Sequence, residues 1–232
     1  MKIFFDLDGP ILDVSEKYYR VYADLVTEYG SQPIPKLDYW DYKRRRIPDE
    51  TILGLSGIEG WVEDYRQLRK SRIETLEYLS CDRIWPGVLP MLQELASDTS
   101  IILVTLRNST ESLKWELKTL GLLDIFTHVL SASGDNAGVE REQVKVQLVQ
   151  KALGLQTFSG WFIGDTETDI RTGQLLGLRT AAVTFGIRTA EQLVTVKPDV
   201  LIETPESLIE WSQLSLMKKI SDRSSLIGNL GK

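Results

Sequence analysis

Lys2-Ile3-Phe4-Phe5-Asp6-Leu7-Asp8-Gly9 opens the chain with an apolar run that ends in two aspartates one residue apart, then glycine. The apolar side chains predict a buried strand. Carboxylates at its carboxyl end fall where open α/β sheets form their ligand crevice. Like charges this close repel and call for a cation or a shared proton. The same letters also suit a strand running into an Asp-Gly turn, and the rest of the chain has to decide between the two.

Later segments repeat the theme. Ile101-Ile102-Leu103-Val104-Thr105, His128-Val129-Leu130-Ser131, Trp161-Phe162-Ile163-Gly164, Thr180-Ala181-Ala182-Val183 and Val200-Leu201-Ile202 read as strands. Helical stretches alternate with them: Val88 to Leu95, Thr110 to Leu120 before Gly121, Glu142 to Leu153 before Gly154, and one from the Gly164 strand to about Gly177. Continuous apolar strands alternating with helices predict an α/β fold, a Rossmann-like core with a parallel sheet covered on both faces. Between the first strand and Trp85 the pattern differs. Asp13 and Glu16 read as a capping box, and Tyr18, Tyr22, Leu25, Val26 and Tyr29 recur at helical spacing. Trp61-Tyr65-Leu68 and Ile73-Leu76-Leu79 are further helical stripes. The expected division is residues 1–14 and 83–212 as core, 15–82 as a helical insert and 213–232 as a partly flexible tail.

Composition bounds the function. The 232 residues suffice for one large domain with an insert. A net charge of -6 argues against a general nucleic-acid binder. One cysteine, Cys81, forbids an internal disulfide and suits a reducing, cytoplasmic setting. One histidine, His128, excludes a histidine-rich metal site. No apolar run is long enough to predict a membrane span.

The other strand ends carry chemistry. Thr105 places a hydroxyl where it can donate to a phosphate or carboxylate oxygen, although threonine also forms turns. Gly164-Asp165-Thr166-Glu167-Thr168-Asp169 sets two aspartates four residues apart at a helix start. Helix capping by Asp165 is the alternative there, but the density of acids beside a glycine favours a site. Lys145, twenty residues earlier, would pass alone as a solvated helix lysine.

Taken in order, Asp6-Leu7-Asp8-Gly9, Thr105, Lys145 and Gly164-Asp165 with Asp169 resemble the four motifs of the haloacid dehalogenase-like hydrolase superfamily. The insert resembles its C1-type α-helical cap, and Trp85-Pro86-Gly87-Val88 resembles the phosphoglycolate phosphatase-like branch. The resemblance implies a Mg²⁺-dependent phosphatase acting on a small phosphorylated metabolite. It assigns Asp6 as the nucleophile that forms an aspartyl-phosphate and Asp8 as the acid and base. It gives Thr105 and Lys145 the phosphoryl oxygens. Asp6, Asp165 and the Asp8 backbone carbonyl would hold magnesium, and Asp169 would position Lys145 or a metal-bound water. A β-phosphoglucomutase-like mutase and a catalytically idle binding scaffold are the alternatives. Monomer and homodimer are both open.

Some positions depart from the family pattern. Leu106 and Arg107 follow Thr105 where asparagine is common, with Asn108 next. Arg107 and Asn108 are candidate substrate contacts, or Arg107 is a solvated loop residue. Pro10 replaces a common threonine or valine. Lys145 lacks the Lys-Pro-x-Pro setting, which leaves Lys151 as a rival. Lys43-Arg44-Arg45-Arg46 reads either as a binder of a second substrate anion or as a solvated loop. Tyr18, Tyr22, Trp40 and Trp61 are expected to form the core of the insert, and closure of the insert is expected to exclude water.

Overall fold

The structure, a computed structural model, describes residues 1–133 and 138–214. The expectation of a partly flexible tail falls almost wholly outside them. The chain begins with β1 (Lys2–Phe5) and β2 (Leu12–Asp13). Five helices follow: α1 (Ser15–Glu28), α2 (Lys36–Arg44), α3 (Asp49–Leu55), α4 (Val62–Arg72) and α5 (Leu76–Leu79). It returns through β3 (Arg83–Ile84), then α6 (Val88–Asp98), β4 (Ser100–Thr105), α7 (Thr110–Thr119) and β5 (His128–Ser131). The second half is α8 (Arg141–Leu153), β6 (Gly160–Gly164), α9 (Glu167–Leu175), β7 (Arg179–Val183), α10 (Ala190–Leu193) and β8 (Val200–Ile202), with a closing helix over 205–214.

Six strands form one sheet in the order β5-β4-β1-β6-β7-β8, and every pairing in it is parallel. The chain builds outward from β1 on one side through β4 and β5, then crosses to the other side at β6. This reversal makes the carboxyl end of β1 the switch point where an open α/β sheet offers a crevice.

Strand alternation explains the continuous apolar runs. Ile3, Phe5, Ile101, Leu103, Trp161 and Ile163 belong to one buried cluster with α6 and α7. Phe4, Ile102, Val104 and Phe162 belong to another, with Val146 and Val149 of α8. Neighbouring residues of β1, β4 and β6 thus bury against opposite helical layers, which keeps the middle of these strands apolar and leaves polar side chains to their ends. The period of two also points the residue after Phe5 back toward the α8 layer, and that residue is Asp6.

The insert has its own core of Val21, Tyr22, Leu25, Val26, Tyr39, Ile52, Leu53, Ile58, Tyr65 and Tyr78. Tyr22 stacks on Tyr39 with centroids 4.4 Å apart. Trp61 packs against this cluster, whereas Tyr18 touches both it and the main core, and Trp40 packs against the main core alone. The antiparallel pair of β2 and β3 fastens the outgoing and returning strands of the insert together, a feature too short to read from the sequence.

Two local expectations are corrected. Asp13 does not form a capping box with Glu16. Its Oδ1 accepts the Ser15 N–H at 2.9 Å, and Glu16 instead pairs with Lys36 at 2.7 Å. The stripe Ile73-Leu76-Leu79 is not one helix: α4 ends at Arg72 and α5 restarts at Leu76, leaving Leu76 exposed. Among the described residues no helix is long and apolar enough to cross a membrane.

Candidate active site

Three parallel strands deliver the site. The chain leaves β1 into Asp6, β4 ends in Thr105, and β6 ends in Gly164 before Asp165. The Asp6 N–H donates to the Ile163 carbonyl at 2.9 Å, which carries the sheet ladder one residue past the strand. Lys145, on the buried side of α8, reaches the same place. Its Nζ lies 2.6 Å from Asp6 Oδ1 and 2.6 Å from Asp169 Oδ1. Asp169 is itself fixed: its Oδ2 accepts from the Thr166 N–H at 3.0 Å and the Thr166 hydroxyl at 2.6 Å. A capping box at the start of α9 therefore orients the carboxylate that holds the lysine. The cap residue is Thr166, not Asp165. Lys151 is exposed on the same helix and has no place in this cluster.

Glycines make room for these carboxylates. A Cβ on Gly9 would sit 2.0 Å from Asp165 Oδ2, and Gly9 has φ +103°, a conformation that glycine adopts freely. A Cβ on Gly164 would meet Asp169 Cβ at 2.2 Å. The turn is braced further by Trp85, whose indole N–H donates to the Gly9 carbonyl at 2.7 Å.

One carboxylate oxygen from each of Asp6, Asp165 and Asp169 lies within 4.8 Å of the other two, and all three residues are buried. Asp165 Oδ2 accepts the Ile187 N–H at 2.5 Å, whereas its Oδ1 has no hydrogen-bond partner among the described residues. Burial, with Asp169 and Asp6 close by, pushes the Asp165 carboxyl well above its usual range. Burial likewise pushes Asp6 up to about 7, although Lys145 works against it. A buried, unpartnered oxygen beside two other carboxylates is a donor set short of positive charge. All the donors are oxygens, which suits a hard divalent cation such as magnesium.

Asp8 occupies different surroundings. Arg107 grips it with both ends of its fork, Nε to Oδ2 at 2.7 Å and Nη2 to Oδ1 at 2.6 Å. Lys17 Nζ adds a contact to Oδ1 at 3.2 Å. Burial opposes the charge, yet Arg107 and Lys17 hold the Asp8 carboxyl far below the usual carboxylate range. Both cations also bind Asp82 Oδ2, Lys17 at 2.5 Å and Arg107 at 3.1 Å. Glu116 lies 3.5 Å from Arg107 Nη1, and burial pushes its carboxyl up to about 8.

Arg107 is thus not a solvated loop residue, since it is only 6% exposed. It lines the cavity, but its Nε and Nη2 are engaged by Asp8 and Asp82. Asn108 is exposed on the cavity rim, and its backbone N–H and that of Ser109 are taken by Glu74 of the insert. Thr105 is buried and lines the cavity, its Oγ accepting the Arg107 N–H at 3.3 Å.

Lys17, Asp82 and Glu116 were not legible as site residues. A signal existed for two of them. Lys17 shares the i, i+4, i+8 stripe of Val21 and Leu25, and Glu116 lies between Leu113 and Leu117 on the buried face of α7. A charge on an apolar stripe needs a buried partner. Asp82 carried no such pattern.

These groups face a cavity of about 670 Å³ between the sheet edge and the insert. The basic run 43–46 divides around it. Lys43 and Arg46 line the cavity, Arg46 paired with Glu167 at 3.0 Å. Arg44 turns away to donate to the Thr184 and Arg188 carbonyls, and Arg45 pairs with Asp41 at 3.0 Å on the surface. Asp49 faces three cations, Lys43 at 3.6 Å, Arg66 at 3.5 Å and Arg69 at 2.9 Å, of which Arg66 also pairs with Glu63 at 2.6 Å; Lys70 lines the cavity as well. The insert therefore presents surplus positive charge to the cavity.

A parallel α/β sheet with a lysine-bridged carboxylate cluster at its switch point, roofed by a helical insert, defines a hydrolase-type α/β protein. The family model for haloacid dehalogenase-like hydrolases matches residues 3–183, and the chain belongs to that family. It is 26% identical to a phosphoglycolate phosphatase of Synechococcus elongatus, over 90% of this chain and 95% of the relative. It is 23% identical to the pyrophosphatase PpaX of Bacillus cereus, over 89% of this chain and 94% of the relative. Among solved structures, a haloacid dehalogenase-like hydrolase from Streptococcus pneumoniae matches with a TM-score of 0.71 at 21% identity, covering 90% of this chain and 97% of that one. A predicted phosphoglycolate phosphatase from Haemophilus somnus matches at 0.68 and 18% identity, covering 91% and 97%.

Proposed function

We propose that this protein is a Mg²⁺-dependent phosphatase that hydrolyses a small phosphorylated metabolite through an aspartyl-phosphate on Asp6. The observation that carries the reading is the meeting of Asp6, Lys145 and Thr105 with Asp165 and Asp169 at the carboxyl ends of β1, β4 and β6, open to a cavity. In this reading residues 15–82 act as a cap over a core of residues 1–14 and 83–212.

Asp6 Oδ attacks phosphorus in line with the leaving oxygen, and the carboxylate becomes an acyl phosphate. Lys145 and Thr105 donate to the phosphoryl oxygens, so that charge developing on them meets donors already in place. Asp8, which Arg107 and Lys17 hold ionised in the free protein, takes a proton from the water that cleaves the acyl phosphate and gives that proton to the leaving oxygen of the next turnover. Asp6 and Asp165 would hold Mg²⁺ together with the Asp8 carbonyl, and Asp169 stays engaged with Lys145. When bound, the ion relieves repulsion among the acids and neutralises phosphoryl charge. The cap excludes water during transfer.

The test is phosphate release from 2-phosphoglycolate, sugar phosphates, nucleotides and pyrophosphate. Each is run with Mg²⁺, with EDTA, and in Asp6→Asn. Release is expected to need the metal, to fall to background in EDTA and to return when Mg²⁺ is restored. Undiminished release in EDTA sinks the metal assignment. Conversion of one sugar phosphate to its isomer without release would replace the phosphatase reading with a mutase.

The surplus charge around Asp49 supports a substrate carrying an anionic group besides the transferred phosphate. Burial and the neighbouring Arg69 push the Lys43 ammonium down to about 8, so an arriving anion meets a cation whose solvation is already reduced. Lys43→Gln is expected to lower the preference for 2-phosphoglycolate over ethyl phosphate about tenfold, the worth of one well-placed charge. An unchanged preference would remove Lys43 from substrate recognition.

A further inference from the structure

Asp8 sits in a glycine turn, two residues beyond the last hydrogen bond from this segment to β6. Its backbone does not by itself fix where the carboxylate points. Two cations, Arg107 and Lys17, touch it directly, and two acids, Asp82 and Glu116, lie against those cations, the four coming from four separate parts of the chain. Arg107 comes from the loop after β4, Lys17 from the first turn of α1, Asp82 from the return of the insert and Glu116 from α7. Each is buried.

The guanidinium geometry is decisive. Nε and Nη2 of Arg107 bind the two oxygens of Asp8, Nη2 also meets Asp82, and Nη1 is turned to Glu116. Arg107 lines the cavity, but Nε and Nη2, the edge that would grip a phosphoryl group bidentately, are taken by Asp8, and Nη1 lies in ion-pair range of Glu116. A bidentate pair fixes both the distance and the plane of its carboxylate, which a single ammonium contact cannot do.

We propose that Arg107 is a positioning residue, which aims the Asp8 carboxylate at the leaving oxygen while Asp82 and Glu116 hold Arg107 in place. This rests on the reading of Asp8 as the acid and base. Arg107 touches no reacting atom, and its whole effect on the reaction passes through Asp8. Lys17 and Asp82 lie at the two chain crossings between insert and core, so the same network ties both crossings to the position of Asp8.

The experiment compares kcat/KM for an alkyl phosphate, whose leaving oxygen needs a proton, with p-nitrophenyl phosphate, whose leaving group does not. The proteins are wild type, Asp8→Asn, Arg107→Lys and the double variant. Arg107→Lys keeps the charge but loses the fork. It is expected to lower kcat/KM for the alkyl phosphate at least about tenfold more than for the aryl one, within the range of acid–base contributions. In the Asp8→Asn background the same change is expected to cost less than about threefold, because the group it positions is gone.

Asp82→Asn keeps its shape and serves if Arg107→Lys fails to fold. It is expected to give the same selective loss, at about threefold or more. Equal losses on both substrates, or a rise in KM of the same size in both backgrounds, would overturn the proposal and make Arg107 a direct phosphate binder or a structural residue. Equal slowing of both substrates by Asp8→Asn would overturn the acid–base role and the positioning role with it. Selective loss in Asp8→Asn with none in Arg107→Lys overturns the positioning role alone.

Discussion

Asp6→Asn is expected to lower single-turnover phosphate release by a factor on the order of 10⁴ or more, about 5.5 kcal/mol in the barrier. Asparagine keeps the shape of the side chain and removes the carboxylate that β1 aims along the sheet toward α8. The neighbouring carboxylates have other places: Asp165 is the proposed metal ligand. Asp169 is held by Thr166 and Lys145, and Asp8 is gripped by Arg107 and Lys17. The same change is expected to leave the fold intact. Asp6 is buried beside Asp169 and Asp8, and burial already pushes its carboxyl up to about 7. Losing that charge removes a desolvation cost as well as the attraction to Lys145, which keeps Asp169 as partner. A urea midpoint equal to or above that of wild type, with no chemical turnover, is the expected pair of results. Turnover near the wild-type rate would end the aspartyl-phosphate mechanism.

The parts of this molecule that were legible in the sequence are those where one local rule suffices. The alternation of Phe4 and Phe5 onto opposite faces recurs in β4 and β6 and is written into these strands as an apolar run. A carboxylate that ends such a run stands out against it, which is why Asp6 and Asp165 are readable without coordinates, whereas Lys145 came only from the family resemblance, with Lys151 left as its rival. Gly164 was read only as part of the Gly-Asp motif, and the structure supplies its reason: the Asp169 side chain occupies the space that a Cβ would need. The ion network around Asp8 follows no local rule. Lys17 and Asp82 are 65 residues apart, and Arg107 and Asp8 are 99 apart. Only the meeting of α1, the return of the insert and the β4 loop makes these single charges neighbours. The apolar stripes that contain Lys17 and Glu116 announced that a buried partner was needed but not which one. The strands β2 and β3 escaped notice because two residues carry no period.

Lys145→Met tests the centre of the site from the side of stability. Methionine fills much of the lysine volume on the buried face of α8, over the Phe162 ring that Lys145 faces at 5.8 Å, so little cavity is created. What is lost is the ammonium between Asp6 and Asp169, each 2.6 Å away. Burial opposes the Lys145 charge, yet Asp169 and Asp6 raise its proton affinity above the ordinary lysine range, so the carboxylates more than offset its desolvation. Removing one partner of a buried ion pair leaves the others uncompensated, at a cost of about 3–5 kcal/mol. A large drop in the urea midpoint in EDTA is therefore expected, with a smaller drop in Mg²⁺, because a bound cation supplies part of the missing charge to the same acids. Activity is expected to fall on the order of 10²-fold or more, since a donor to the phosphoryl oxygens disappears with the charge. Lys151→Met, on the exposed side of the helix, is the control: surface substitutions stay within about 0.5 kcal/mol, and neither midpoint nor rate should move. If Lys151→Met lost activity while Lys145→Met kept it, the phosphoryl donor would have to be reassigned. A Lys145→Met protein as stable as wild type in EDTA would show that the acids hold a proton among themselves, and that the lysine serves the substrate rather than the fold.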